Sequence, residues 1–170
     1  EAWRALIELK RLGKVKAVGV SNFNKRQILE LIEATGETPA VLQIEMHPLL
    51  QRPELRKFCE SRGILVQSYG TYHDEIVNHP SLLSLANSDP ELMEMSKKPS
   101  GLVALRWALQ SGAAIIPRSR KVEYVEGNKN VFWRGFKKLL SGSVVEELAS
   151  IDEERSLFGI HHVFVQDLVA

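Results

Sequence analysis

Cysteine is nearly absent from this chain, since Cys59 is the only one among 170 residues. A single thiol cannot form a disulfide within the chain, and it cannot build the multi-cysteine sites that bind structural zinc. A disulfide framework, which is common in small secreted domains, is therefore excluded. The composition favours a reducing compartment, and we expect a cytoplasmic protein.

Excess charge and long apolar runs are also missing. The chain carries 22 Lys and Arg against 21 Asp and Glu, which leaves a formal charge of +1. Such a balance gives no general attraction to nucleic acid or to an anionic membrane, and no apolar run is long enough to span a bilayer. We therefore expect neither a nucleic-acid partner nor a membrane. The chain begins without Met inside a helical pattern, so we expect it to be part of a longer protein.

Polar residues follow several short apolar runs that have the character of strands. The runs end in Ser21-Asn22, in Glu45-Met46-His47-Pro48, in Ser68-Tyr69 and in Arg118-Ser119. A helical pattern follows each run. Strands alternating with helices predict an α/β fold with a parallel sheet, and ligands bind at the carboxyl ends of such strands.

Hydrophobic periodicity predicts the individual elements. We expect strands over residues 15–20, 41–45, 64–68 and 113–116. We expect helices over residues 2–12, 25–34, 53–62, 90–97, 102–110, 122–128 and 144–151. An irregular connection is predicted over residues 70–89, and a break between two helices at Pro99-Ser100-Gly101. No interior boundary is visible, so residues 1–170 are expected to be a single domain.

Four stretches match one known family in order and spacing. They are GKVKAVGVSNF at residues 13–23, QIEMHP at 43–48, LVALRWALQ at 102–110 and IPRS at 116–119. Together they resemble the aldo-keto reductase family, a (β/α)8 TIM-type barrel. The resemblance covers residues 1–128 and leaves 129–170 as a divergent C-terminal tail. Within the family, the chain is similar to the second half of the barrel, strands five to eight.

The resemblance implies NADPH-linked reduction of a small aldehyde or ketone to an alcohol. The family's catalytic Asp, Tyr, Lys and His belong to the first half of the barrel, so no catalytic residue carries over to this sequence. His47 does not match the catalytic histidine, and we expect a structural, hydrogen-bonded histidine at a strand end. We expect no metal site, because the other histidines lack ligand spacing and are interpreted as loop and tail residues: His73, His79, His161 and His162.

The nicotinamide end of a cofactor site does carry over by resemblance. Ser21, Asn22 and Gln43 match the residues that hydrogen-bond the nicotinamide carboxamide. Short hydroxyl and amide side chains on strand ends suit such a ligand, which both donates and accepts. Tyr69 matches the aromatic residue that stacks on the nicotinamide ring.

The adenosine end carries over with two departures from the family pattern. Arg118 and Ser119 match the pair that reaches the adenosine 2′-phosphate, and a guanidinium suits a phosphate dianion. Asn128 matches an adenine-contacting Asn. Tyr124 stands where the family usually has an Arg, and Gly127 stands where it usually has a Glu.

A structural interpretation competes with the cofactor interpretation at each position, because a polar residue at a strand end often caps the next helix. Taken singly, the structural interpretation is better for Ser21, Ser119 and Asn128. Taken together in family order, the cofactor interpretation is better for Asn22, Gln43, Tyr69 and Arg118.

Three functions remain open at the level of sequence. The chain is half of a reductase, a partial gene product of one, or a non-catalytic dinucleotide-binding or interaction protein. A half barrel leaves the strands at 15–20 and 113–116 with open edges, which favours self-association. We expect its uncovered inner face to include Val18, Val20, Ile44 and Val66.

Overall fold

A computed structural model describes residues 1–133 and 140–158. The described strands form one sheet in the order β1-β2-β3-β4 and run parallel, which confirms the predicted α/β class. In chain order, the elements are α1 (Ala2–Arg11), β1 (Gly19–Ser21), α2 (Lys25–Thr35), β2 (Val41–Glu45), α3 (Pro53–Ser61), β3 (Leu65–Tyr69), α4 (Asp74–Val77), α5 (Pro80–Asn87), α6 (Pro90–Met95), α7 (Pro99–Gln110), β4 (Ala114–Ile115), α8 (Val122–Trp133) and α9 (Gly142–Ser150).

The chain divides into two compact units. The first includes Glu1–Ile44 and Arg52–Gln67, and the second comprises Glu45–Gln51 and Ser68–Leu157. Helices α1, α2 and α3 belong to the first unit, and helices α4 to α9 belong to the second.

Helix α2 begins at a capping box. The Asn24 side chain accepts a hydrogen bond from the Gln27 N–H at 2.8 Å, and the Gln27 side chain accepts one from the Asn24 N–H at 2.9 Å. The helix ends at Gly36, whose φ of 71° is the left-handed conformation that glycine adopts readily. Helix α1 is attached to it, because the Trp3 indole donates to Thr35 Oγ1 at 3.2 Å. The sequence predicts both helices to within one residue at each end.

Strand β1 is shorter than the sequence predicts. Its ladder with β2 begins at Gly19, whereas the apolar run predicts a strand from Val15, which is 37% exposed. A Cβ atom at Gly19 would lie 2.7 Å from the Val41 carbonyl oxygen, so glycine permits the close approach of the two backbones. Val18 is buried, which contradicts its predicted place on an uncovered face.

The two faces of the central strands are buried to different extents. Leu42 and Ile44 on β2 are fully buried, and Val66 on β3 is nearly so. The intervening Gln43 and Gln67 are only partly buried. The prediction that Ile44 and Val66 lie on the uncovered face is therefore wrong. Side chains alternate along a strand, so these residues share the buried face, and the two glutamines share the other.

Helices form where the sequence predicts an irregular connection over residues 70–89. His73 Nδ1 accepts a hydrogen bond from the Glu75 N–H at 3.4 Å at the start of α4. His79 Nδ1 accepts one from the Ser81 N–H at 3.3 Å at the start of α5. Both histidines lie just outside the helices, which agrees with their interpretation as loop residues, and the structure adds that each caps the helix that follows. Sequence reasoning missed both helices because histidine is not among the preferred capping residues.

Helix α7 is the buried centre of the second unit, and it packs against α4, α5, α6 and α8. It begins at Pro99, whereas the sequence predicts a break there and a start at Leu102. Proline suits the first turn of a helix, where its missing N–H costs no hydrogen bond. The Ser100 hydroxyl adds a bond to the Val77 carbonyl at 2.6 Å.

Helix α9 and the segment that follows it are tied to the loop after β2, within the second unit. Gln51 Nε2 donates to the Leu148 carbonyl at 2.6 Å. The backbone N–H groups of Glu153 and Arg155 both donate to the Leu49 carbonyl, at 3.2 and 3.1 Å. Helix α9 confirms the helix predicted in this region. The described part of the divergent tail is thus held by specific hydrogen bonds.

Candidate functional site

The carboxyl ends of β1 and β2 bring together the residues predicted to bind a carboxamide. Ser21 and Gln43 are partners in the parallel register. Asn22 follows at once, and its N–H donates to the Gln43 carbonyl at 2.9 Å. Its φ of 58° lies in the left-handed region, which Asn tolerates better than most residues. The structure confirms that these residues adjoin, and their role in binding stays a prediction.

Gln67 is a polar neighbour of this cluster that sequence reasoning missed. Gln43 Nε2 donates to Gln67 Oε1 at 2.6 Å, and both side chains are partly buried. Among the residues that the structure describes, nothing donates to Gln43 Oε1. A signal was present in the sequence, because Gln67 lies two positions before Tyr69 and so shares its face of the strand.

Tyr69 ends β3 in the second unit and leads into a firmly held turn. Its carbonyl accepts the Met46 N–H at 3.1 Å, and Gly70 turns the chain with a φ of 79°. The hydroxyls of Ser68 and Thr71 both donate to the Met46 carbonyl, at 2.7 and 2.9 Å. Buried hydroxyl groups thus fix the Gly70-Thr71 turn in place.

Two glycines in the second unit make room for neighbouring side chains. A Cβ atom at Gly101 would lie 2.1 Å from Cε2 of Tyr72, and one at Gly127 would lie 2.7 Å from Oγ of Ser96. The departure from Glu at Gly127 therefore has a steric cause, since Ser96 occupies the space. Burial, with a smaller contribution from Tyr124, raises the pKa of Tyr72 to about 12, so its phenol stays neutral.

The residues predicted for the adenosine end occupy different environments within the second unit. Arg118 is exposed, and it forms no ion pair with any described residue. Ser119 Oγ accepts the Lys121 N–H at 3.1 Å and so shapes the turn into α8. Asn128 on α8 is 7% exposed, and its Oδ1 has no donor in the described part of the chain. Lys121 Nζ lies 5.3 Å from the ring centre of Tyr124, which replaces the family's Arg.

His47 and Glu45 form a buried pair that anchors the tail. His47 Nε2 lies 3.1 Å from Glu45 Oε1, and the Leu157 N–H donates to the same oxygen at 2.5 Å. The Ser156 hydroxyl donates to Oε2 of Glu45. Burial alone would raise the pKa of Glu45, but hydrogen bonds from His47, Ser156 and Leu157 outweigh it and hold that pKa below its ordinary value. The prediction of a structural, hydrogen-bonded His47 is confirmed.

Metal ligands do not cluster in the part of the chain that is described. Within residues 1–133 and 140–158, no three His, Cys, Asp or Glu side chains converge on a point where a metal could bind. His161 and His162 lie outside the described residues.

Burial raises the pKa of Cys59 to about 11, which keeps its thiol protonated.

Every described helix is too short or too polar to cross a bilayer.

Comparison with known proteins identifies relatives over most of the chain. The aldo/keto reductase family model matches residues 1–153. Glycerol 2-dehydrogenase (NADP(+)) of Saccharomyces cerevisiae is 33% identical over 160 residues, which cover 91% of this chain and 47% of the yeast protein. NAD(P)H-dependent D-xylose reductase of Scheffersomyces stipitis is 36% identical over 139 residues, covering 77% of this chain and 44% of that protein.

Solved structures agree with the sequence matches. The aldose reductase from Schistosoma japonicum superposes with a TM-score of 0.78 at 29% identity, over 92% of this chain and 48% of that one. This chain spans about half the length of the curated relatives that it matches. The parallel sheet with polar strand ends, the family match over residues 1–153 and these relatives lead to one conclusion: the chain belongs to the aldo/keto reductase family.

Proposed function

We propose that this chain is the cofactor-binding half of an NADP(H)-dependent aldo-keto reductase and corresponds to strands five to eight of its barrel. Two relatives carry this cofactor class in their names, one with NADP(+) and one with NAD(P)H. A bound, reduced nicotinamide supplies a hydride to the carbonyl carbon of an aldehyde or ketone. The reduction itself is proposed for the complete protein, because the chain spans only half of each relative.

The unpartnered amide oxygen of Asn128 carries the proposal. A buried acceptor without a donor costs free energy, so such atoms usually mark a missing water, ion or ligand. The family resemblance independently gives this position an adenine contact. The exocyclic amino group of adenine is a donor of the kind that Asn128 Oδ1 lacks. The residue therefore fits the adenine of the proposed cofactor.

The strand-end cluster of Ser21, Asn22 and Gln43 suits the other end of the cofactor. Its hydroxyl and two amides can both donate and accept, as a carboxamide ligand requires. The unoccupied acceptor on Gln43 adds to that match. A backbone hydrogen bond between Asn22 and Gln43 holds the two strand ends in register, which limits the ordering needed on binding.

Arg118 is the residue that we propose for the adenosine 2′-phosphate. Its guanidinium is exposed and carries no carboxylate partner in the described residues, so it is available to an anion. Tyr124 removes the second cation that the family usually places nearby. We therefore propose that NADPH is preferred over NADH, but by less than two phosphate-binding cations would give.

Binding measurements with the two cofactors test this proposal. Arg118→Ala should weaken NADPH binding by about 10-fold or more, the effect of losing one charge-assisted hydrogen bond. NADH binding should be unchanged, because it lacks the 2′-phosphate. Arg11→Ala is the matched control, since Arg11 is an exposed arginine paired with Glu8 on α1. Equal affinity for both cofactors, unaltered by Arg118→Ala, would rule the phosphate role out.

A second candidate function is a non-catalytic dinucleotide-binding protein. The observation that favours it is that the candidate residues Ser21, Asn22, Gln43, Arg118 and Asn128 bear on cofactor binding alone, since no catalytic residue carries over to this sequence by resemblance. Turnover of NADPH with an aromatic aldehyde by the complete protein supports the reductase. Binding of NADPH without turnover supports the second candidate. Either protein is proposed to be cytoplasmic, because a single cysteine suits a reducing compartment.

A further inference from the structure

The side chain of Gln67 forms a hydrogen bond with one residue of the proposed carboxamide site, Gln43. The Leu65 N–H donates to the Ala40 carbonyl at 3.0 Å, which places Gln67 beside Gln43 on the adjacent strand. The two amides meet there, with Gln43 Nε2 at 2.6 Å from Gln67 Oε1. The Gln67 side chain forms no other hydrogen bond with the described residues. The bond to Gln43 is therefore the polar interaction that the Gln67 side chain makes within the described residues.

The chemistry of a glutamine amide gives this contact a consequence. A Gln side chain can rotate its amide by half a turn, which exchanges its donor for its acceptor. With Oε1 of Gln67 in place, that rotation would set two oxygens against each other. Turning the Gln43 amide alone would break its bond to Gln67, so this bond favours the observed arrangement, in which Gln43 Oε1 stays available to a donor from a ligand.

We propose that Gln67 is a positioning residue for cofactor binding, which fixes the Gln43 amide so that its oxygen accepts from the nicotinamide carboxamide. The inference rests on the proposed function. Preorganisation of this kind lowers the ordering cost of binding and makes the site selective for a ligand amide. Gln67 itself touches no cofactor atom in this account.

Two variants of Gln67 separate positioning from stability. Gln67→Leu removes the acceptor and keeps a similar volume. Gln67→Glu keeps an acceptor and cannot donate when ionised. The probes are NADPH and adenosine 2′,5′-bisphosphate, which lacks the nicotinamide half. We expect Gln67→Leu to raise the Kd for NADPH about five-fold, the effect of one lost hydrogen bond, and to leave the Kd for the bisphosphate unchanged. Gln67→Glu should stay within about two-fold of the original chain for both probes.

The outcomes distinguish the inference from the proposed function. An unchanged NADPH affinity in Gln67→Leu, with the original chain binding NADPH normally, overturns the positioning role alone. Equal loss for both probes also overturns it, because a general loss of structure would weaken both. Failure of the original chain to bind either probe overturns the proposed function and this inference together.

Discussion

At the residue scale, Gly101 marks the closest packing described in the second unit. Gly101→Ala would place a Cβ atom 2.1 Å from Tyr72 Cε2, so the ring must move. We expect the free energy of unfolding to fall by about 1–3 kcal/mol, the usual cost of overpacking a core. Urea denaturation measures the change. Gly142→Ala is the control, because no atom of the described residues lies within 4 Å of its Cβ position and its φ is not positive. It should be neutral or slightly stabilising, and an equal loss in both variants would contradict the steric account.

The buried carboxylate of Glu45 gives a second prediction at this scale. Its folded pKa lies below the ordinary value of 4.5, so the ionised form stabilises the fold above that pH. This stability is lost as the pH falls through the folded pKa. We expect Glu45→Gln to lower the free energy of unfolding at pH 7 by roughly 1–3 kcal/mol. The difference from the original chain should shrink as the pH drops below 4.5, because protonated Glu45 resembles Gln.

Glu54→Gln provides the comparison for this experiment. Glu54 is an exposed residue that pairs with Lys57 on its own helix, and such pairs contribute little. Its substitution should change the free energy of unfolding by less than about 1 kcal/mol. If the loss in Glu45→Gln is the same at every pH, the hydrogen-bonded carboxylate is not its cause.

Single residues also show what the sequence alone can predict. His47 could be assigned a structural role because its Glu-x-His-Pro motif ends a strand, and the structure places it against Glu45. The Gln43–Gln67 contact and the orphaned oxygen of Asn128 were not predictable. Both features depend on contacts between side chains of different strands and helices. Such long-range contacts cannot be read from the local order of residues.

At the element scale, Gln51 connects the loop after β2 to helix α9. Its Nε2 donates to the carbonyls of Leu148 and Pro48, at 2.6 and 2.8 Å. Gln51→Leu leaves both buried carbonyls without this donor, so α9 should open more readily. Hydrogen exchange should speed up about 5-fold or more for amides of α9 and stay unchanged for α2. Unaltered exchange in α9 would show that other contacts hold this helix.

Helices and strands with strong local sequence signals were predicted well. Helices whose first residues are not typical of a helix start were missed or misplaced. Strand β2 agrees with its prediction residue for residue, and α3 begins at Pro53 as expected. Helices α4 and α5 were missed because histidines cap them. The first turn of α7 was mistaken for a break, because a Pro-Ser-Gly sequence usually marks a turn. We attribute the helical conformation of this first turn to its tertiary packing around Gly101.

At the scale of the whole molecule, we predict that the isolated chain self-associates. Strands β1 and β4 end the described sheet on its two sides, and Leu65 on β3 is 48% exposed. Open edges and exposed apolar side chains favour association. Light scattering with size exclusion should give a mass above 19.2 kDa. Leu65→Lys should reduce the mass, and Met93→Lys, on an equally exposed apolar residue of α6, should not.

A monodisperse chain of 19.2 kDa with cooperative unfolding would contradict this prediction. It would mean that the open edges are too short to pair, since β1 spans three residues and β4 two.

The isolated chain should also be inactive as a reductase. By resemblance, the acid–base residues of the family belong to the other half of the barrel, and proton transfer by a positioned side chain contributes about 100-fold or more to such reactions. NADPH consumption with a reactive aromatic aldehyde should stay at background. Turnover at ordinary enzyme rates would require a proton donor within these residues.

The contact between Tyr72 and Gly101 has a consequence for how this sequence can vary. The aromatic ring occupies the space that any side chain at position 101 would need. A larger residue at 101 is therefore tolerated only if position 72 becomes smaller in the same protein. The same constraint applies to Ser96 and Gly127, because Ser96 occupies the space that a side chain at position 127 would need. Among natural sequences that share this arrangement, each pair should change together, so an alignment of them would reveal two correlated columns.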